Sequence, residues 1–220
     1  MRSYGQYCPI SRASEILAER WTLLIVRNLM LGCTSFNQIA GGVPGMSRSL
    51  LASRLRALED AGVVASQQKR GRRGRDYRLT EAGRALSPVV AAMAQWGTHW
   101  VELQPEHTDP SFALWAWVHA HLCRSRLPRK RVVVQFEFPE QRPPHHRLWI
   151  LFHPDDAELC FSHPKLASDL VVHAQSEAFT RWHIGKLSWP QALRSGAIRV
   201  DGPQALARAL PTWNNRAASA

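Results

Sequence analysis

The chain has 220 residues, 45% of them hydrophobic, which is enough for two domains with packed cores. Lys and Arg number 28 against 17 Asp and Glu, and the net charge of +11 favours a polyanionic partner. Met1–Ile10 lacks the apolar core of a secretory signal. The most apolar early run, Trp21–Leu31, contains Arg27 and Asn28 and is too short to cross a bilayer. We therefore expect a cytoplasmic protein with no membrane partner.

Sequence motifs for catalysis and metal binding are missing. The cysteines form no CxxC pair and no zinc-ligand spacing, so we expect four reduced thiols: Cys8, Cys33, Cys123 and Cys160. No HExxH motif connects the neighbouring histidines, which are His119 with His121, and His145 with His146 and His153. There is also no GxSxG motif and no glycine-rich phosphate loop. We expect no enzymatic activity, no metal and no cofactor.

The first forty residues predict three helices. The first covers residues 10–19, and the second, Trp21–Leu31, is nearly all apolar and ends at Gly32. Ser35 then caps a short helix, Phe36–Ala40, which glycines and a Pro-Gly turn close. A short helix, a glycine-containing turn and a further helix form the helix-turn-helix pattern.

The helix after this turn is the candidate DNA-reading element. Leu51, Leu55 and Leu58 recur at i, i+4 and i+7, which is the spacing of one buried stripe. Ser47 is the predicted N-cap, and Gly62 ends the helix. The predicted DNA contacts are Ser47, Arg48, Ser49, Ser53 and Arg56, with Arg54 on the flank. Such a helix fits the DNA major groove, whereas the alternative is an ordinary solvated helix.

A basic hairpin follows, and it makes the motif winged. Two extended runs, Val63–Gln68 and Asp76–Leu79, flank a glycine- and arginine-rich loop. Residues 69–78 hold six Lys or Arg and one acid. We expect five of these cations to contact DNA phosphates: Lys69, Arg70, Arg72, Arg73 and Arg75. The alternative is a basic surface loop.

A long helix is predicted from Thr80 onward. Pro88 should kink it or separate its first turns, because proline removes a backbone hydrogen bond. An apolar stripe runs along the helix through Leu86, Val90, Met93, Trp96 or Gly97, Trp100 and Leu103. We interpret this stripe as a dimer interface; the alternative is that the second domain covers it.

Residues 7–104 resemble the HxlR family of bacterial winged helix-turn-helix regulators. The matching residues are Cys8-Pro9, Glu19–Ile25, Phe36–Ile39, Ser47–Leu51, Arg54-Leu55, Leu58-Glu59, Gly62-Val63 and Tyr77–Gly83. The resemblance implies a homodimer on a roughly palindromic double-stranded DNA operator, with each recognition helix in the major groove. The wing tip, Arg70–Arg75, is richer in arginine than the resemblance implies.

Cys8 lies where some members of that family carry a cysteine that senses oxidants or electrophiles. A reactive thiol needs exposure and a lowered pKa, and Arg12, one helical turn on, could stabilise the thiolate. The alternative is an inert, small hydrophobic residue.

The second half of the chain predicts an α+β domain. We assign residues 1–104 to DNA binding and dimerisation, 105–110 to a linker, 111–214 to the second domain and 215–220 to a tail. The predicted helices are Phe112–Cys123, Glu177–Lys186, Trp189–Ser195 and Gln204–Leu210, and the predicted strands are Arg131–Phe138, Leu148–Phe152, Glu158–Phe161, Leu170–Ala174 and Ala197–Val200. Strands followed by helices favour helices on one face of a sheet.

Residues 110–214 resemble sterol-carrier-protein-like domains, most clearly at Leu187–Pro203 with Leu206 and Trp213. The resemblance implies an apolar tunnel that takes lipids or other hydrophobic molecules. Candidate ligand contacts are Phe179, Trp182, Leu193, Leu206, Leu210 and Trp213, which could equally be plain core.

Together these patterns and the two resemblances imply a dimeric, sequence-specific transcriptional regulator, which we expect to be a repressor controlled by a hydrophobic small-molecule effector in its C-terminal domain. The alternative is a redox or electrophile sensor that acts through Cys8 and has a structural C-terminal domain. A third possibility, a lipid carrier with incidental affinity for DNA, requires weak and sequence-independent DNA binding.

Overall fold

The structure is a computed structural model that describes residues 3–69, 74–143 and 145–216. The chain divides into two compact units, Met1–Glu102 and Leu103–Ala220. The stretch interpreted as a linker belongs to the second unit: Pro105–His107 forms one 3₁₀ turn, and a helix already begins at Pro110. Within the described ranges, no helix combines the length and the apolarity needed to span a membrane.

The first unit has six helices and one hairpin within the described residues. They are α1 (Pro9–Leu17), α2 (Thr22–Met30), α3 (Phe36–Gly41), α4 (Arg48–Asp60), β1 (Val64–Gln68), β2 (Arg75–Leu79), α5 (Glu81–Arg84) and α6 (Ser87–Trp100). β1 and β2 pair antiparallel, with Val64 opposite Leu79. The stripe of α4 is buried as predicted, since Leu51, Leu55 and Leu58 are at most 2% exposed.

Side-chain caps and one buried amide position the helix-turn-helix. Ser35 and Gln38 form a capping box at the start of α3, and the Ser47 hydroxyl accepts the Leu50 N–H at the start of α4. The fully buried Asn28 of α2 donates from Nδ2 to the Ile39 carbonyl oxygen at 2.9 Å. Because that carbonyl lies in α3, the hydrogen bond fixes α3 against the central helix.

The predicted long helix is two helices, and Pro88 lies in the first turn of α6. A proline is tolerated there because the first N–H groups of a helix have no partner inside it. No residue of α6 is buried. Its apolar side chains are instead largely exposed, at 43% for Val89, 55% for Met93, 61% for Trp96 and 68% for Trp100.

The second unit is a five-stranded sheet with helices. Its elements are α7 (Pro110–Ala120), β3 (Val132–Glu137), β4 (Arg147–Phe152), β5 (Ala157–Cys160), β6 (Leu170–Ala174), α8 (Ser176–His183), α9 (Trp189–Arg194), β7 (Ile198–Asp201) and α10 (Gln204–Ala209). The strand order is β5-β4-β3-β6-β7. The β3–β6 pair is parallel, and the other pairs are antiparallel.

The two faces of this sheet are covered differently. One face, with Val134 and Phe136 of β3, packs into the main core with α7, α8 and α10. On the other face of β3, Val133 is only 2% exposed, so both faces of this strand contribute buried residues. Trp149 and Leu151 of β4 pack beside Val133, and Leu166, in the loop between β5 and β6, packs against them.

Candidate nucleic-acid interface

Four of the predicted DNA contacts lie on the exposed face of α4. Arg48, Ser49, Ser53 and Arg56 are all exposed, on the opposite side from the buried leucines. Ser47 is exposed too, but its hydroxyl is engaged as the helix cap and lies 3.2 Å from the Ser49 hydroxyl. The helix therefore presents two guanidinium groups and two hydroxyl-bearing side chains that can donate to base edges or phosphates.

Arg48 is held at the start of this face by α3. Its Nη2 donates to Asn37 Oδ1 at 2.8 Å, and its guanidinium carbon lies 4.9 Å from the centre of the Phe36 ring. A guanidinium has five N–H donors, and this contact uses one of them. Arg48 is therefore oriented without exhausting its hydrogen-bonding capacity.

Arg54 is different from the other predicted DNA contacts on α4. Its Nη2 lies 2.6 Å from Glu19 Oε2, and the Arg54 side chain is 24% exposed. Arg54 Nε is buried and has no hydrogen-bond partner among the described residues. The charge of Arg54 is thus neutralised within the protein, where it ties α4 to the segment between α1 and α2.

Ion pairs tie the base of the wing to its surroundings. Lys69 Nζ lies 3.3 Å from Asp76 Oδ1, and Arg75 Nη1 lies 3.8 Å from Glu59 Oε2 at the end of α4. On the inner side, the Tyr77 N–H donates to the Thr34 carbonyl oxygen at 2.8 Å. The wing-tip residues Arg70, Arg72 and Arg73 lie outside the described residues.

Cys8 is the N-cap residue of α1 and is partly exposed. Hydrogen bonds from the backbone N–H groups of Ser11 and then Ile10 lower the pKa of the Cys8 thiol. Arg12, the predicted source of this effect, pairs with Glu15 at 3.7 Å instead. In contrast to Cys8, Cys33 has a raised thiol pKa, about 11, because its side chain is buried.

The six predicted ligand contacts of the second unit differ in how deeply they are buried. Phe179, Trp182, Leu210 and Trp213 are at most 1% exposed and belong to the main core. Their rings pack closely, with centroid distances of 5.2 Å for Phe179 to Trp182 and 4.8 Å for Phe152 to Trp213. Leu206 is half-buried against this core, whereas Leu193 is 42% exposed and lies outside it.

A buried polar cluster beside this core has no signal in the sequence pattern. Asn214 Nδ2 lies 2.8 Å from His183 Nδ1, and His183 Nε2 has no partner among the described residues. The His121 ring centroid is 5.3 Å from that of His183. The pKa of His183 is lowered to about 3, mainly by burial and also by the positive charges of His121 and Arg216. That of His121 is lowered to about 4, by burial and then by Arg216.

Comparisons with known proteins identify the first unit. A family model described as HxlR-like helix-turn-helix matches residues 16–105. The Bacillus subtilis protein YvaP, named as an uncharacterized HTH-type transcriptional regulator, is 36% identical over 110 residues, which are 49% of this chain and 95% of YvaP. The HTH-type transcriptional regulator YodB of the same bacterium is 35% identical over 97 residues, covering 43% of this chain and 87% of YodB.

Solved structures are similar over the same share of the chain. The reduced form of YodB from B. subtilis covers 44% of this chain and 97% of its own, with 33% identity and a TM-score of 0.39. The redox regulator HypR in its reduced form covers 42% of this chain and 92% of its own, with 27% identity and a TM-score of 0.40. On its identity to YvaP over nearly the whole length of that protein, the chain belongs to the HxlR family of helix-turn-helix transcriptional regulators.

Proposed function

We propose that the protein is a dimeric, sequence-specific repressor that binds a pseudo-palindromic duplex operator through α4 and the wing. The observation that carries this proposal is the exposed polar face of α4, which lies opposite a buried leucine stripe in a chain of the HxlR family. In this assignment Arg48, Ser49, Ser53 and Arg56 contact bases or the nearest phosphates, and the wing cations hold phosphates. Arg54 acts as a positioning residue through Glu19.

The exposed apolar face of α6 supports the dimer. Side chains such as Met93, Trp96 and Trp100 are more than half exposed, and a contiguous apolar patch of this kind typically marks an interface. A second copy of the chain is the partner that a two-fold operator requires, because two recognition helices then contact successive major-groove segments.

A hydrophobic effector in the second unit is the regulatory part of the proposal. Its support is the aromatic core with half-buried Leu187, Trp189 and Leu206 packed against it. Because the core rings contact one another, an effector would have to separate them. Its binding energy would therefore favour an altered packing of this unit, which is how a ligand shifts a conformational population.

Arginine substitutions test the base-reading role. Arg48→Ala should cost about 1–3 kcal/mol on the operator and relax specificity at one base position. Removing Arg70, Arg72 and Arg73 from the wing should weaken operator and random DNA alike and flatten the salt dependence. Titrations of both DNAs at several salt concentrations separate the two effects. If Arg48→Ala lowered affinity equally for operator and random DNA, the base-reading role would be wrong.

A redox or electrophile switch at Cys8 is the second candidate function. It is favoured by the partial exposure of the Cys8 thiol and by its lowered pKa at the start of α1. In this candidate the C-terminal unit is structural. Diamide or a quinone should release DNA from the unmodified protein and from Cys123→Ser, which keeps Cys8, but not from Cys8→Ser. Equal release from Cys8→Ser would exclude the switch.

A further inference from the structure

Positive charge in the second unit is concentrated in one short exposed segment. Residues 124–131 contain five Lys or Arg and no acid. Four of these side chains form what is called here the basic ridge: Arg126, Arg129, Lys130 and Arg131, all exposed. This segment lies outside the residues matched by the family model, which ends at 105.

The backbone on both sides of the basic ridge is anchored. On one side Leu122 pairs with Asn214, and the Cys123 N–H donates to the Trp213 carbonyl oxygen at 2.8 Å. On the other side Val132 begins the central strand β3 and is 6% exposed. Leu127, in the middle, packs against the main core. The exposed cations therefore project from a fixed segment of chain.

Among the described residues, the ridge cations have no acidic partners. Arg124, which precedes them, pairs with Asp156 at 3.8 Å. None of the four ridge side chains forms an ion pair or a side-chain hydrogen bond to any residue the structure describes. One more cation lies near His121, just before the segment, because the Asn215 N–H donates to the His121 carbonyl oxygen and Arg216 follows Asn215.

We propose that the basic ridge is a second DNA-contacting surface, which binds the phosphate backbone of duplex DNA outside the helix-turn-helix. Four exposed cations on a fixed segment, without ion-pair partners among the described residues, can each contact a phosphate, and each phosphate that is neutralised releases counterions. The ridge contains no aromatic side chain that could stack on a base or anchor in a lipid headgroup layer. This contact goes beyond the proposed operator reading, because it requires no sequence specificity.

The test measures salt-dependent binding of the full chain to a mixed-sequence duplex of about 60 base pairs. The ridge variant is Arg126→Gln, Arg129→Gln, Lys130→Gln and Arg131→Gln. The matched control removes four exposed cations elsewhere in the same unit, by Arg142→Gln, Lys186→Gln, Arg194→Gln and Arg208→Gln. Both variants therefore have the same net charge. Circular dichroism checks that each remains folded.

The ridge variant should lose about 3–4 units from the slope of log K against log salt, at about 0.9 per phosphate contact, while the control keeps the slope of the parent chain. Equal slopes for the two variants would overturn the proposal. So would loss of binding to phosphatidylglycerol vesicles by the ridge variant with an unchanged DNA slope. If the fourfold variant fails to fold, Arg129→Gln and Arg131→Gln should each lose about 0.9. Because the duplex carries no operator, the result is independent of the proposed base reading.

Discussion

At the scale of single residues, His183 has the most unusual environment of the described histidines. It is 3% exposed, its Nδ1 is hydrogen-bonded to the Asn214 side chain, and its pKa is lowered to about 3 mainly by burial. Positive charge on the nearby His121 and Arg216 repels a protonated His183 and therefore lowers its pKa in the same direction. The folded second unit therefore holds His183 neutral.

This gives a pH dependence of stability with a definite sign. In the unfolded chain His183 titrates near the ordinary histidine value of 6.5, so between that pH and about 3 the unfolded state binds the extra proton. The contribution of neutral His183 to the free energy of unfolding should be fully present above about pH 6.5 and should decrease as the pH falls below that value. At pH 5 the loss from His183 alone should be about 2 kcal/mol relative to pH 7.5. His121, whose pKa is also lowered, should add to the loss in the same direction. Urea unfolding followed by tryptophan fluorescence measures it.

The variant His183→Gln is the control for this effect. Glutamine can still accept from Asn214 but carries no titrating group near neutral pH. Although the variant is expected to be less stable at pH 7.5, its stability should vary less between pH 7.5 and pH 5 than that of the parent. An unchanged pH dependence would show that other groups are responsible.

Residue roles were only partly predictable from the sequence. Arg48 and Arg54 lie on one short amphipathic helix, and the pattern alone assigns both to DNA. Their roles differ because their hydrogen-bond partners differ. Arg48 bonds to Asn37, which is 11 residues away in sequence, and Arg54 bonds to Glu19, which is 35 residues away. Contacts between residues so far apart follow from the fold and leave no trace in local periodicity. The same holds for the bond between His183 and Asn214.

At the scale of elements, α5 depends on one buried glycine. Thr80 caps this helix by accepting the Gly83 N–H at 3.1 Å, and its hydroxyl donates to the Gly62 carbonyl oxygen. A Cβ placed on Gly83 would lie 2.2 Å from the Val63 carbonyl oxygen and 2.9 Å from Leu79 Cδ2. Both atoms belong to the segments that form the hairpin, so the helix sits directly against the base of the wing.

Gly83→Ala should therefore destabilise the first unit by about 1–3 kcal/mol, because backbone must move to make room. Gly97→Ala in α6 is the matched control. A Cβ at Gly97 meets no described atom of the same chain within 4 Å, and alanine is the better helix former by up to about 1 kcal/mol. Thermal unfolding of the two variants should show opposite shifts in Tm. A tolerated Gly83→Ala would contradict the close packing of α5.

Elements were far more predictable than residue roles. Helices and strands follow from hydrophobic periodicity, from caps such as Ser35 and Ser47, and from breaks such as the one at Pro88. Which strands pair with one another is harder to predict from the sequence. β3 lies parallel to β6, with Val134 opposite Leu170, although the two strands are far apart in sequence. The sequence pattern also gave no sign of the bond from Tyr77 to Thr34 that holds the wing against the start of α3.

At the scale of the whole molecule, the proposed function requires two copies of the chain. The exposed stripe of α6 is the proposed interface. A charge placed in that stripe, by Met93→Glu or Trp96→Glu, should shift the protein toward monomer, because burying an unpaired carboxylate costs several kcal/mol. Gln95→Glu, on the opposite side of the same helix, should leave the dimer intact. Sedimentation equilibrium distinguishes these outcomes, and a dimer unaffected by both stripe variants would exclude α6 as the interface.

The family match concerns the first unit, so the proposals for the second unit rest on the second unit's own residues. Its aromatic core and its basic ridge suggest different contributions, effector binding and phosphate binding. The two can be tested separately, because the ridge cations are exposed and the core rings are buried. Sequence reasoning found the strands and helices of this unit but identified neither the ridge nor the histidine cluster as features of interest.

The most direct test of the central claim is a binding titration of the purified full chain against two duplexes. One carries the DNA upstream of its own gene, and the other carries the same bases scrambled, both at physiological salt with the salt slope recorded. We predict a preference of about a thousandfold or more for the upstream DNA. Equal affinity for both duplexes, with only a steep salt dependence, would contradict sequence-specific reading by α4.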